Sequence, residues 1–185
     1  AGALPALAQR LPPRVYVAGG QRGRRGPNSC AVAEAMVLVP AAEGEACWES
    51  LREMPTARQD CAVVGMCGML FVLGGTTGGV VCEPLASMDR FSPATGQWET
   101  LAPMSTARYA CAAAAVSGRL CVAGGCGGWT ATAEQLAAAE AWDPQQGAWE
   151  TLEPMPEPRG RCGSCALHGA LYVVGGWDRR ERCAA

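Results

Sequence analysis

Residues 54–75 read MPTARQDCAVVGMCGMLFVLGG. The same outline returns at 104–125 as MSTARYACAAAAVSGRLCVAGG and at 155–176 as MPEPRGRCGSCALHGALYVVGG. Each copy holds a Met, an Arg four residues later, a run of small residues, a Gly seven residues before the end, an apolar stretch and a closing Gly-Gly. A second constant lies between the copies: WESLREM at 48–54, WETLAPM at 98–104 and WETLEPM at 149–155. The pairs Gly19-Gly20, Gly74-Gly75, Gly124-Gly125 and Gly175-Gly176 share this spacing. A period of about 50 residues marks propeller blades rather than helical solenoids.

One period has room for four short strands. In the 104–152 unit, residues 109–116 read as a small-residue strand a and 120–123 as an apolar strand b. Residues 138–142 follow as strand c and 149–152 as strand d. Ser117-Gly118, Asp143-Pro144 and Gln146-Gly147 supply turn chemistry between antiparallel neighbours. The stretch 132–141, TAEQLAAAEA, has strong helix formers of its own, but residues 84–91 in the same place of the previous unit do not share that bias. Strand is expected there.

Composition narrows the function classes. The 185 residues are 49% hydrophobic, enough for a core and too apolar for a disordered tail. All 15 basic residues are Arg and the net charge is −2, so no broad basic field for nucleic acid is expected. No apolar run reaches the roughly 18 residues of a membrane span, and no signal-peptide pattern opens the chain. A cytoplasmic setting is the expectation. Eleven Cys scattered through apolar stretches read as reduced, buried thiols rather than a disulfide framework.

Gly-Gly closing strand b, a Trp about 24 residues on, then Met, Arg and a small-residue strand resemble the kelch repeat, whose family fold is a β-propeller of four-stranded blades. The resemblance covers nearly the whole chain and recurs in register over three units. It implies an all-β fold, a partial β-propeller of antiparallel kelch blades spanning 1–185. Blade remnants are expected at 1–53 and 154–185, and full units at about 54–103 and 104–153. The first unit lacks the Met-to-Arg portion and has a longer loop at 21–29. Some three and a half blades do not close a ring of about six, so the chain reads as part of a longer protein with blade faces and strand edges left open.

Trp48, Trp98 and Trp149 are expected to fill the space beside the glycines. Arg58, Arg108 and Arg159, at a fixed distance from Met and Trp, are expected to bond backbone carbonyls and pack on an aromatic. Cys61, Cys111 and Cys162 share one repeat position and are expected as small core residues. The CxxC at 162–165 has no second pair, and its ends point to opposite faces of a strand, so no metal is expected. Galactose-oxidising propellers need several His and Tyr, whereas this chain has one His and three Tyr. No catalytic residue and no cofactor are expected.

Binding is sought where copies differ. The resemblance gathers the residues after the repeat Arg, and those after each Gly-Gly, at one mouth of the central channel. That set is Arg22, Gln59, Asp60, Thr76, Tyr109, Trp129, Arg161, Trp177 and Arg179, rich in the residue types of interaction hot spots. It implies a protein or peptide ligand. The commonest setting of such repeats is substrate recognition by a BTB-kelch adaptor of a cullin ubiquitin ligase, through domains not among these residues. The alternative is an actin-binding or scaffolding kelch protein, and a propeller enzyme is the remote one.

Overall fold

The computed structural model describes residues 14–23, 30–39, 45–78, 83–128 and 134–177. These form fifteen strands and, among the described residues, no helix. The first unit contains β1 (Val15–Ala18), β2 (Gln21–Arg22), β3 (Cys30–Ala31), β4 (Ala35–Val39) and β5 (Cys47–Ser50). The next has β6 (Ala62–Met66), β7 (Met69–Leu73), β8 (Met88–Ser92) and β9 (Gln97–Leu101). The third has β10 (Ala112–Val116), β11 (Arg119–Ala123), β12 (Ala139–Asp143) and β13 (Ala148–Leu152), and β14 (Gly163–Leu167) and β15 (Ala170–Val174) end the series.

Each full unit is one antiparallel meander, ordered β6-β7-β8-β9 and β10-β11-β12-β13. The flanking sheets are β1-β4-β5 and β14-β15, and the long first-unit loop carries the small ladder β2-β3. The fold is a partial β-propeller. The helix-prone stretch becomes β12, paired on both sides, because a central strand position outweighs the propensity of its alanines.

Strand a starts later than the sequence predicts, at Ala112 rather than at 109. Ala110 has φ 51°, and its counterparts Asp60 and Arg161 have φ 52° and 55°. That left-handed residue turns the chain, so Tyr109 leaves the strand and bridges Cys126. Beyond it, β10 packs between β6 and β14. Its AAAAV sequence suits the narrow centre of a propeller, where inner strands crowd together.

The core lies between sheets. Phe71 and Leu73 from one sheet meet Leu120, Val122 and Trp142 from the next, with the Phe71 and Trp142 rings 5.6 Å apart. The outer strands β9 and β13 are more exposed and carry Glu99 and Glu150, paired with Arg90 and Arg119 at 2.5 Å. Charge on an outer edge discourages pairing with another chain. In β15, Tyr172 holds the place of Phe71 and is 46% exposed against 2%. Val15 and Val17 of β1 are likewise exposed.

Candidate functional site

The Gly pairs and the residues after each repeat Arg meet at one end of the inner strands. Gln59 and Thr76 exchange two backbone hydrogen bonds of 2.9 Å, and Tyr109 with Cys126 (3.2 and 2.9 Å) and Gly160 with Trp177 (3.1 and 2.9 Å) pair in the same way. One step further, the amide of Ala110 donates to the Asp60 carbonyl at 2.7 Å, and that of Arg161 to the Ala110 carbonyl at 2.8 Å. The three left-handed residues thus form a backbone string from blade to blade. It holds two charged positions, Asp60 and Arg161, on one rim.

The predicted binding residues divide by burial. Gln59, Thr76 and Tyr109 are buried, at 4, 0 and 5% exposure, beneath the rim. Tyr109, expected among the contact residues of the mouth, is turned beneath it: its hydroxyl donates to the Gly128 carbonyl at 3.2 Å, and burial pushes its pKa up to about 12. The left-handed turn at Ala110 aims the ring inward. Gln59 Oε1 and Thr76 Oγ1 are buried without a hydrogen-bond partner. Arg161 and Trp177 are exposed, Asp60 is half-buried, and Arg22 is exposed and paired with Glu34. Trp129 and Arg179 lie outside the described residues.

Beneath the rim sit the repeat arginines, which are fully buried in the two complete units. Arg108 Nη1 donates to the carbonyls of Gly124 and Ala138 at 2.8 and 2.9 Å, and its Nη2 to Glu140 Oε1 at 2.6 Å. Arg58 repeats the arrangement with Gly74, Ser87 and Asp89, the last at 2.5 Å. The partners are carbonyls, a carboxylate and, for Arg58, the Ser87 hydroxyl, and no ring of the described residues stacks on either guanidinium. Their own backbones belong to the blade before. Arg108 N donates to the Leu85 carbonyl, and its carbonyl accepts from Gly75 N. Each of these residues therefore joins two sheets.

The sequence placed Trp beside the glycines, and the structure places Met there. The Cε of Met104 lies 3.5 Å from where a Gly74 Cβ would stand, and that of Met54 3.4 Å from Gly19. Trp98 and Trp149 sit farther out and donate their indole N–H to the Arg52 and Ala102 carbonyls at 2.7 and 2.8 Å. Half-exposed Trp48 makes no such bond among the described residues. Met reaches the glycines because its main chain is already bonded to that blade, Met104 N to the Ala86 carbonyl. The buried carboxylates were missed in the sequence. Their signal was an acidic residue nine positions ahead of the Trp in both full units.

Glu140 also accepts from Ser105 N and Oγ and from Thr106 N. Burial opposes its charge, but the Ser105 and Arg108 donors outweigh burial and hold the carboxyl below its ordinary value. A pKa lower in the folded than in the unfolded chain gives stability that is complete above the unfolded value, about 4.3, and is lost as pH falls through the folded one. Melting temperature is expected to fall on acidification through that range. A Glu140→Gln chain should show a shallower fall, and an unchanged slope would contradict the assignment.

Burial raises Cys61 and takes Cys111 to about 12, which makes both poor thiolates. Cys111 and Cys162 stand against Gly125 and Gly176. Cys165 is exposed. Among the described residues no group of three or more His, Cys, Asp or Glu could hold a metal. No helix among them is long and apolar enough to cross a membrane.

The family model for the kelch motif matches residues 57–105, 107–156 and 158–184. This chain belongs to the kelch family. The kelch chain is similar to Kelch-like protein 23 of Homo sapiens, 39% identical over 44 residues, which are 24% of this chain and 8% of that protein. It is 40% identical over 50 residues to an F-box/kelch-repeat protein of Arabidopsis thaliana, or 27% of this chain and 13% of that one. Among solved structures, that of YjhT matches with a TM-score of 0.69 at 16% identity, covering 82% of the kelch chain and 47% of its own. That likeness concerns the fold. The matched spans are small parts of the relatives' lengths.

Proposed function

We propose that this kelch segment is a protein-interaction module that holds a polypeptide segment of mixed charge at the mouth defined by Asp60, Ala110 and Arg161. The observation that carries the reading is the rim itself. Asp60 and Arg161 lie on one hydrogen-bonded string, and neither forms an ion pair among the described residues. A fixed backbone under two uncommitted charges is preorganised to bind, since little ordering remains when a ligand arrives. The guanidinium offers a fork to a carboxylate, Asp60 accepts from a cation, and exposed Trp177 supplies apolar area nearby. In the complete protein we read this module as serving substrate recognition for a cullin ubiquitin ligase, the setting that the kelch resemblance implies.

Peptides selected from a random display library on the 185-residue chain test the site. Motifs with both an acidic and a basic residue are expected. Arg161→Ala should weaken the best of them by at least about 1 kcal/mol with the melting temperature unchanged. Ala accepts the left-handed backbone there about as well as Arg does. Selected peptides that bind equally well to the variant would place the contact elsewhere.

A further inference from the structure

Two buried oxygens beneath the mouth, Gln59 Oε1 and Thr76 Oγ1, have no hydrogen-bond partner. Their residues are 4% and 0% exposed and stand opposite each other in one antiparallel bridge. Directly opposed residues of such a pair send their side chains to the same face, so the two oxygens share one place. Described sheets flank it on both sides, since Arg58, just before Gln59, is bonded to Val32 of the first unit. A buried oxygen without a hydrogen bond costs free energy, and native folds keep few of them. On its other side Thr76 bridges Pro84, which has no N–H to offer.

The next unit satisfies the same positions. Tyr109 and Cys126 replace Gln59 and Thr76, and Gln135 replaces Pro84. The Tyr109 hydroxyl donates to the Gly128 carbonyl, and the Cys126 thiol bonds with Tyr109 and Gln135. In the last unit the pair is Gly160 and Trp177, which bring no side-chain oxygen. The orphaned oxygens therefore belong to one copy, and in that copy the residue after Gln59 is Asp60.

We propose that Asp60, Gln59 and Thr76 form a subsite for a lysine side chain, with Asp60 at its entrance and the two neutral oxygens at its floor. This names the basic residue of the mixed-charge ligand and rests on the mouth being the binding face. An ammonium carries three donors on one compact head, one for each oxygen-bearing group, whereas a guanidinium is a planar fork that needs a wider opening. Burying the charge requires a counter-charge, which the half-buried Asp60 carboxylate supplies. The neighbouring guanidiniums do not compete for it: Arg58 is committed to Asp89, Arg22 to Glu34, and Arg161 stands beyond Ala110 on the rim. Gln59 is the outer of the two floor residues, so its side chain must swing to admit the head.

The test titrates the isotope-labelled 185-residue chain with N-acetyl-lysine methylamide and follows the backbone NMR signals of Gln59, Asp60 and Thr76. Saturable shifts centred on these signals are expected. N-acetyl-norleucine methylamide, which keeps the stem and lacks the ammonium, should shift them little, and N-acetyl-arginine methylamide should bind at least about fivefold more weakly. A Thr76→Val chain loses the orphaned oxygen at nearly constant shape. It should melt no lower than the parent while binding the lysine probe at least about fivefold more weakly. A lower melting temperature with an unchanged lysine preference would make Thr76 structural and overturn its role. The decisive comparison varies only the probe, so a poorly folded variant chain would leave it intact. Equal shifts from the lysine and norleucine probes, or none from the lysine probe, overturn the proposal. The probe carries no acid for Arg161, so failure here and failure of the Arg161→Ala test are separate results.

Discussion

An Arg108→Ala chain is expected to lose about 3–5 kcal/mol, the usual cost of leaving one member of a buried ion pair without its partner. The carbonyls of Gly124 and Ala138 lose their donor in the same step, and Glu140 keeps only Ser105 and Thr106. Because the main chain of Arg108 is bonded to the sheet before it, the change also frees one sheet from the next. Denaturant unfolding should become less cooperative, with a smaller slope as well as an earlier midpoint. Lysine should restore little of this, since an ammonium has three donors on one point and the planar guanidinium serves four acceptors. Arg159→Ala is the internal control. Its guanidinium makes fewer bonds and is partly exposed, so its loss should cost far less. If the two variants unfold at the same denaturant concentration, the buried carboxylate is not what makes Arg108 important.

Gly74→Ala should be nearly as damaging, for a steric reason. Gly74 has φ 63°, and a Cβ there would fall on the Arg108 carbonyl oxygen, a backbone atom that cannot turn aside. A loss of more than about 3 kcal/mol is expected, compared with about 1–2 kcal/mol for an alanine that must only adopt the left-handed conformation. Gly175 separates the two costs. It has φ 65°, and a Cβ there meets no atom of the described residues within 4 Å. The melting temperatures of Gly74→Ala and Gly175→Ala should therefore differ by several degrees. Equal melting temperatures would mean that conformation alone sets the cost and that the close approach of the sheets is unimportant.

The repeat was readable because its turns and glycines are local demands, met by the same residue types in each copy. Strands b, c and d of the third unit appear within a residue or two of where turn chemistry placed them. Strand a did not, because no residue type announces the left-handed φ of Ala110, a conformation unfavourable for alanine and fixed by its two backbone bonds to Asp60 and Arg161. That one turn also decides that Tyr109 goes inward, which no reading of hydrophobicity could have told from an exposed aromatic. The pairings of Arg58 with Asp89 and Arg108 with Glu140 span more than thirty residues and join different kinds of acid. They leave only a faint periodicity in one sequence. Met and Trp recur equally often, and frequency alone could not say which of them touches the glycines.

The arginines that straddle neighbouring sheets have a consequence for how such a chain can be divided. A cut between β9 and β10 would fall in the connection that bonds backward through its amides and forward through Arg108, and would strip contacts from both products. A cut between β11 and β12 leaves Arg108 and Gly124 on one piece and Glu140 on the other, so the ion pair becomes a docking key for the two halves. Units exchanged between relatives, or pieces produced separately and mixed, should therefore keep their joints inside a sheet, where the guanidinium can rejoin what the break has parted.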